Sequence, residues 1–410
     1  MRALERGIVE LINLIRESVL GLFAAPPPDD ISLLSSPISP PSPSSPGVTP
    51  TQSRFKLDPK NMPFSTPKRG EIWEDFAFWP PFSNSLSGAF YLSKFLVIIG
   101  TAAGEMAALG PVANGDNTYD LLKSLVSVTR ERSIRVVCAA WNKDAEVCKM
   151  LEDWTRDPEQ RDLTKMPKLF VAFENAILSG MQKILYVSEA ISRPGTLEVV
   201  TQPPAKLLQM VRAQFVSSVY KALSGLVENA EHPSTPEEDN EWVLVGPVAS
   251  VNNPDVASTV FAADTVDAQS RNVRILLTLS NIKALQALLV PQLVANFETS
   301  FSVKLTDEAK TIRDVLIQIE NRLFQSYTKP TVDALTQEIH DGITASDWVP
   351  STNRPQQVRP YVYNTLLALV LVHTEISTTI PSSSVAHPSR STPGITSTLM
   401  STVLTFLLSR

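Results

Sequence analysis

Four histidines and two cysteines are the residues here with the widest chemical range, and their spacing decides what they could do. His232, His340, His373 and His387 make no HExxH arrangement, the helical ligand pair that with its glutamate base forms a hydrolytic zinc site. Cys138 and Cys148 are not a CxxC pair, so metal binding has no support from cysteine spacing either. One disulfide is arithmetically possible, but two cysteines in 410 residues do not describe a secreted disulfide scaffold. Buried free thiols in a reducing compartment are expected instead. His340-Asp341 and His373-x-Glu375 have the composition of a base with an orienting acid. Both pairs fall at the edges of helical patterns, and such neighbours are common by chance, so neither is read as catalytic. No GxxxxGK[ST] or GxGxxG phosphate loop occurs, and no GxSxG nucleophile elbow. The expectation is a protein without catalytic residues, cofactor or metal, and so not an enzyme.

Charge narrows the partners. With 36 basic and 42 acidic residues the net charge is -6, which favours solubility and gives no electrostatic footprint for nucleic acid. The cluster Arg130, Glu131, Arg132 and Arg135, and the stretch from Arg156 to Lys168, could contact acidic lipid headgroups or a partner. A solvated helix face is the plainer reading. The N-terminus mixes Arg2, Glu5, Arg6, Glu10, Arg16 and Glu17 with sparse apolar residues, unlike a signal or transit peptide. Phe90–Leu109 is the most membrane-like stretch, but its uninterrupted apolar part is shorter than the ~20 residues a spanning helix needs. Lys94 and Glu105 bracket it, so a buried core helix in a soluble protein is expected, with Gly100 and Gly104 allowing close helix approach.

The elements follow from periodicity. Leu4, Ile8, Leu11, Ile12, Ile15 and Val19 recur at spacings of three and four and predict an amphipathic helix over 3–23. A Pro/Ser-dominated stretch follows, with too little apolar surface to offset the entropy of ordering. Residues 54–84 carry Phe55, Phe64, Trp73, Phe76, Phe78, Trp79 and Phe82 on a proline-broken strap. Such a strap either packs along a helical body or serves as a docking peptide; burial is the usual fate of large aromatics. Helices are then predicted over 88–109, 119–153, 163–192 (Pro167 in the first turn) and 205–230. Beyond an acidic loop around Glu237, Glu238 and Asp239 they resume over 271–301, interrupted at Pro291, then 305–327, 330–343 and 359–379. The best strand signal, Trp242-Val243-Leu244-Val245, is isolated.

Long helices joined by proline-marked turns predict an all-α fold, an elongated stack of antiparallel helical bundles. The chain divides into an amphipathic helix (1–23), a Pro/Ser linker (24–53), a first helical region with the aromatic strap (54–230) and an acidic loop (231–268). A second helical region (269–379), a Ser/Pro loop (380–393) and a terminal helix (394–410) complete it. The missing cap on that last helix implies that it is cut short.

Residues 72–100 (IWEDFAFWPPFSNSLSGAFYLSKFLVIIG), 161–190 (RDLTKMPKLFVAFENAILSGMQKILYVSEA), 207–230 (LLQMVRAQFVSSVYKALSGLVENA), 271–329 and 348–379 resemble the C-terminal half of the fungal Sec-five family. Members of that family are subunits of the exocyst tethering complex. The resemblance spans roughly 54–410 and leaves Met1–Thr51 outside it. It implies a helical rod of the tethering-complex type, helping to hold secretory vesicles at the plasma membrane before fusion. It further implies a cytoplasmic protein at the membrane periphery, with other exocyst subunits, small GTPases and acidic phospholipids as partners, and no catalytic residue. A generic helical scaffold that binds through its proline-rich or aromatic segments is the alternative.

Overall fold

The computed structural model describes residues 2–24, 71–113, 116–187, 198–231, 268–346, 348–349 and 357–381. Its long helices are α1 (Arg2–Leu22), α2 (Ser85–Ala107), α3 (Asp116–Val147), α4 (Met166–Tyr186) and α5 (Ala205–Glu231), then α6 (Arg271–Phe301), α7 (Thr306–Thr344) and α8 (Pro360–Thr379). Among the described residues no strand forms beyond an isolated antiparallel bridge between Arg156 and Thr164. The all-α expectation holds. Apart from edge residues, the expected linker 24–53, acidic loop 231–268, Ser/Pro loop 380–393 and terminal helix 394–410 lie outside the described residues, as does the strand signal at 242–245.

Local chemistry sets the helix boundaries. Asn84 and Ser87 form a reciprocal capping box at the start of α2: the Ser87 N–H donates to Asn84 Oδ1 and the Asn84 N–H to Ser87 Oγ, both at 3.0 Å. Pro167 sits in the first turn of α4 and Pro360 opens α8, positions where a missing N–H costs nothing.

Two prolines expected to divide helices do not. Before Pro291 the chain makes a π turn, Leu285–Leu289, whose wider loop leaves room for the pyrrolidine ring, and the helix continues to Phe301. Pro330 lies inside α7, which runs unbroken where two helices, 305–327 and 330–343, are expected. An interior proline costs about 3 kcal/mol. Leu323, Tyr327, Val332 and Leu335 are buried on either side of it, at about 1.5–3 kcal/mol each, and outweigh that cost while Pro330 faces solvent.

The chain folds as two compact units, each built from two stretches: Met1–Trp141 with Gly180–Val211, and Asn142–Ser179 with Arg212–Arg410. In the first, the strap packs on the helices. Phe23 stacks on Phe78 at 4.5 Å and on Phe95 at 5.7 Å, joining the end of α1 to the strap and to α2. The Trp79 ring lies against Gly88, where an added Cβ would stand 2.6 Å from Cζ3 and 2.7 Å from Cζ2. A Cβ at Gly180 would stand 2.9 Å from the Cβ of Ala89, so α4 and α2 meet at glycine too. Phe82 alone of the described strap aromatics is exposed.

α2 departs from its expected enclosure. Leu92, Leu96, Ile99, Ala103 and Ala107 are buried with Gly100 and Gly104, yet Phe90, Tyr91 and Ile98 face outward. By length and composition α2 and α6 could each cross a membrane, but 61% of the apolar window of α6 is buried within the body, against 44% for α2. One buried stripe is what a helix packed on a single side needs.

The second unit centres on α6, with α7 along it and α8 against both. Phe215 of α5 stacks on Phe297 of α6 at 5.0 Å, and Phe297 meets Phe301 at 4.7 Å. On α4, Phe170, Ile177, Ile184 and Leu185 are buried, while Leu169 is exposed.

Candidate interaction surface

The described histidines have no partner in catalysis. His340 is exposed on α7, and Asp341 accepts instead from Gln337 Nε2 at 2.8 Å. His373 is exposed on α8, while Glu375 turns inward to accept from Tyr327 Oη at 3.0 Å and Asn272 Nδ2 at 3.4 Å. Burial and the Glu375 charge push the Tyr327 phenol up. His232 and His387 lie outside the described residues. Cys138 and Cys148 are free and buried, with thiols pushed up to about 12 by burial. At neutral pH both are protonated and poor nucleophiles. Among the described residues no group of His, Cys, Asp and Glu could hold a metal.

The basic cluster is not a solvated face throughout, because several of its guanidinium groups bond carbonyls within the chain. Arg130, 1% exposed, donates from Nη1 to the carbonyls of Leu185 (3.3 Å), in the last turn of α4, and Thr201 (2.7 Å). Arg132 donates to the carbonyls of Leu20 (3.5 Å) and Phe23 (2.6 Å), at the end of α1. Arg156 donates to the carbonyl of Thr378 (3.4 Å), at the end of α8, and to that of Arg161. Three guanidinium groups thus satisfy carbonyls at the C-termini of three helices, where the aligned peptide dipoles leave negative charge. Arg135 pairs with Glu131 at 2.5 Å, and Lys168 with Asp157 and Glu159 at 2.9 and 2.8 Å. The Arg135–Glu131 and Lys168–Glu159 pairs are exposed and of little energetic weight, whereas the Asp157 carboxylate is buried.

Three buried polar side chains organise the core, and the spacing did not single them out. Asn281 of α6 is fully enclosed: its Oδ1 accepts from the Thr164 N–H at 3.0 Å, and its Nδ2 donates to Thr164 Oγ1 at 2.8 Å and Glu152 Oε2 at 3.3 Å. Glu152 also accepts from Thr164 Oγ1 at 2.7 Å and from the N–H of Trp154 at 2.9 Å. The loop between α3 and α4 is thereby fastened to α6. Burial pushes the Glu152 carboxyl up to about 7, against the Thr164 and Trp154 hydrogen bonds. Glu174 of α4 accepts from Ser218 Oγ of α5. Arg130 is the third. Each replaces an apolar residue in a stripe: Arg130 between Val126 and Ile134, Glu174 between Phe170 and Leu178, Asn281 between Leu277 and Leu285, all four residues apart and buried. That substitution is the signal by which the sequence could have revealed them.

Two helices also expose apolar side chains. α1 turns Leu4, Leu11, Leu14 and Ile15 outward, and α8 turns out Tyr363, Leu366, Leu367, Val370 and Leu371. These surfaces suit contact with other helices and lack nucleophile, base or ligand set.

A family profile described as Exocyst complex component Sec5 matches residues 2–410. The chain belongs to the Sec5 exocyst-component family. The match begins at residue 2 and so includes residues 2–51, which the resemblance leaves outside; α1 lies within the matched stretch. Exocyst complex component 2 from Homo sapiens is 25% identical over 264 residues, 63% of this chain and 27% of that protein. The Mus musculus protein of the same name is 24% identical over the same shares. The match thus spans about a quarter of the length of these relatives.

Proposed function

We propose that this chain is a non-catalytic part of the exocyst complex and helps hold secretory vesicles at the plasma membrane before fusion. The Sec5 family match over residues 2–410 carries this reading. The disposition of the polar groups supports it: both histidine–acid pairs are broken up, the thiols are buried, and Arg130 and Arg132 are spent on helix ends. Outward apolar helix faces are the surface an assembly protein uses to meet neighbours of the same kind.

In this reading the chain works in the cytoplasm, at the membrane periphery at sites of secretion, and binds other exocyst subunits. Small GTPases and acidic phospholipids are further partners, though Arg130 and Arg132 are not free to meet a lipid headgroup. Depleting the protein that carries this chain should make secretory vesicles accumulate unfused near the plasma membrane, seen by electron microscopy. Normal vesicle density and normal secretion on depletion would overturn the proposal.

A further inference from the structure

α1 has two apolar sides. The inward one carries Ile12, 3% exposed, with Ile8 and Val19 half-buried. Phe23 and the Arg132 hydrogen bonds to the carbonyls of Leu20 and Phe23 fasten the end of the helix. The outward side carries Leu4, Gly7, Leu11, Leu14 and Ser18, spaced three, four, three and four apart and all exposed, the leucines at 57–70%. That alternation is the narrow seam by which one helix meets another. It is distinct from the stripe that α1 already lays on the body.

Gly7 stands within the seam, with Leu4 one turn before it and Leu11 one turn after. Glycine is the poorest ordinary helix former, so an interior glycine asks for a packing reason. The chain itself supplies none. A Cβ added at Gly7 would meet nothing within 4 Å, whereas at Gly88 and Gly180 it would strike Trp79 and Ala89. The bare backbone at Gly7 leaves a notch on the outward side, the kind of hole that receives a large apolar side chain from a facing helix.

The rim of the seam selects the occupant. Along its free edge lie Glu10 and Glu17, seven residues apart and both exposed. Glu17 stands 3.7 Å from Arg16, yet its side chain remains 68% exposed, and Glu10 has no ion-pair partner among the described residues. Arg6 is exposed too but lies farther round the helix from the seam. Helices that rest on a membrane border their apolar face with Lys and Arg, and two carboxylates there repel acidic headgroups. A second copy fits no better. Antiparallel pairing sets Glu10 of one copy against Glu17 of the other, and parallel pairing sets them against the apolar Ile15 and Leu22. The complement is a helix with its own apolar seam and with Lys or Arg along the edge that meets Glu10 and Glu17.

We propose that the outward seam of α1 is a docking surface for a basic-edged amphipathic helix of a different protein, which seats a large apolar side chain over Gly7 and pairs its cations with Glu10 and Glu17. The proposal is independent of the tethering reading, because it concerns the chemistry of the partner helix and not the complex that supplies it.

Photo-crosslinking in cells tests it, with a diazirine leucine analogue in place of Leu14 in the intact protein and sequencing of the crosslinked peptide by mass spectrometry. The expected adduct is a peptide of another protein with apolar residues three and four apart and Lys or Arg beside them. Gly7→Leu should lower its yield about tenfold by filling the notch. The same change improves helix propensity, so hydrogen exchange of the α1 amides should stay as slow or become slower. Glu10→Lys with Glu17→Lys should lower the yield several-fold, again with α1 protection kept. An adduct to lipid, to a second copy, to the same polypeptide or to a peptide without basic residues would overturn the proposal, as would no adduct. Yield unchanged by the charge reversal would overturn it as well. Faster α1 exchange in Gly7→Leu would place Gly7 in the body's own packing and equally refute it.

Discussion

Whether the aromatic strap is part of the body or a loosely held peptide turns on one contact, Trp79 against Gly88. Trp79 is buried, and truncating a buried aromatic to alanine costs about 3–5 kcal/mol. Its Nε1–H finds no acceptor among the described residues, a penalty the truncation relieves, so Trp79→Ala should fall at the low end, about 3 kcal/mol. Gly88→Ala carries two opposed effects. In the first turns of α2 alanine gains about 1 kcal/mol of helix propensity. The added methyl would meet two ring carbons at 2.6 and 2.7 Å, overpacking that costs about 3 kcal/mol in a rigid site. The net effect in the native background is a loss of about 2 kcal/mol. With Trp79→Ala in place the clash is gone, and Gly88→Ala should stabilise by about 1 kcal/mol. The sign of the glycine substitution thus inverts, with a coupling of about 3 kcal/mol. Because the chain has two units, a single unfolding transition is not assumed, and exchange of the α2 amides in graded urea is the appropriate readout. An equal effect of Gly88→Ala in both backgrounds, or a neutral Trp79→Ala, would refute the packing argument.

Other consequences are as direct. The folded-state Glu152 carboxyl is raised from 4.5 to about 7, so its stabilising contribution is complete below about 4.5 and lost as pH rises through 7. Unscreened, that shift corresponds to about 3 kcal/mol, and about half of it for a carboxyl that keeps partial contact with water. Glu152→Gln should flatten the decline in stability of the second unit between pH 5 and 8, measured by urea titration; an unchanged slope contradicts the assignment. Arg132→Ala removes the donor to Leu20 and Phe23 and should lower protection of the α1 amides by about 1–2 kcal/mol, with little change in α6. Cys138 and Cys148, pushed up to about 12, should resist iodoacetamide at pH 8 in the native protein and both label in urea; rapid native labelling of either would contradict its burial.

Helix existence was legible because apolar residues spaced three and four apart report on a helical stripe, buried in α5 at Leu207, Val211, Phe215, Val219, Leu223 and Leu226. Boundaries at Pro291 and Pro330 were not. Local propensity argues for a break, and the packing that overrides it, from Tyr327 and Val332 or through the π turn at Leu285–Leu289, is set by neighbouring helices. The arginines show a deeper limit. Composition shows that Arg130 and Arg132 are charged, but only the chain's path brings the carbonyls of Leu185 and Phe23 to them. The division into two units, each joining distant stretches, is likewise a matter of long-range pairing. The absence of catalytic spacing and the family resemblance needed no such pairing and were visible from the start.

The central claim is that this chain works as an exocyst component. It is tested most directly by tagging the protein that carries the chain at its own locus and identifying, by quantitative mass spectrometry, what is captured with it. The account expects the other exocyst subunits, recovered together and in near-equal amounts. A stable complex that contains none of them would contradict it.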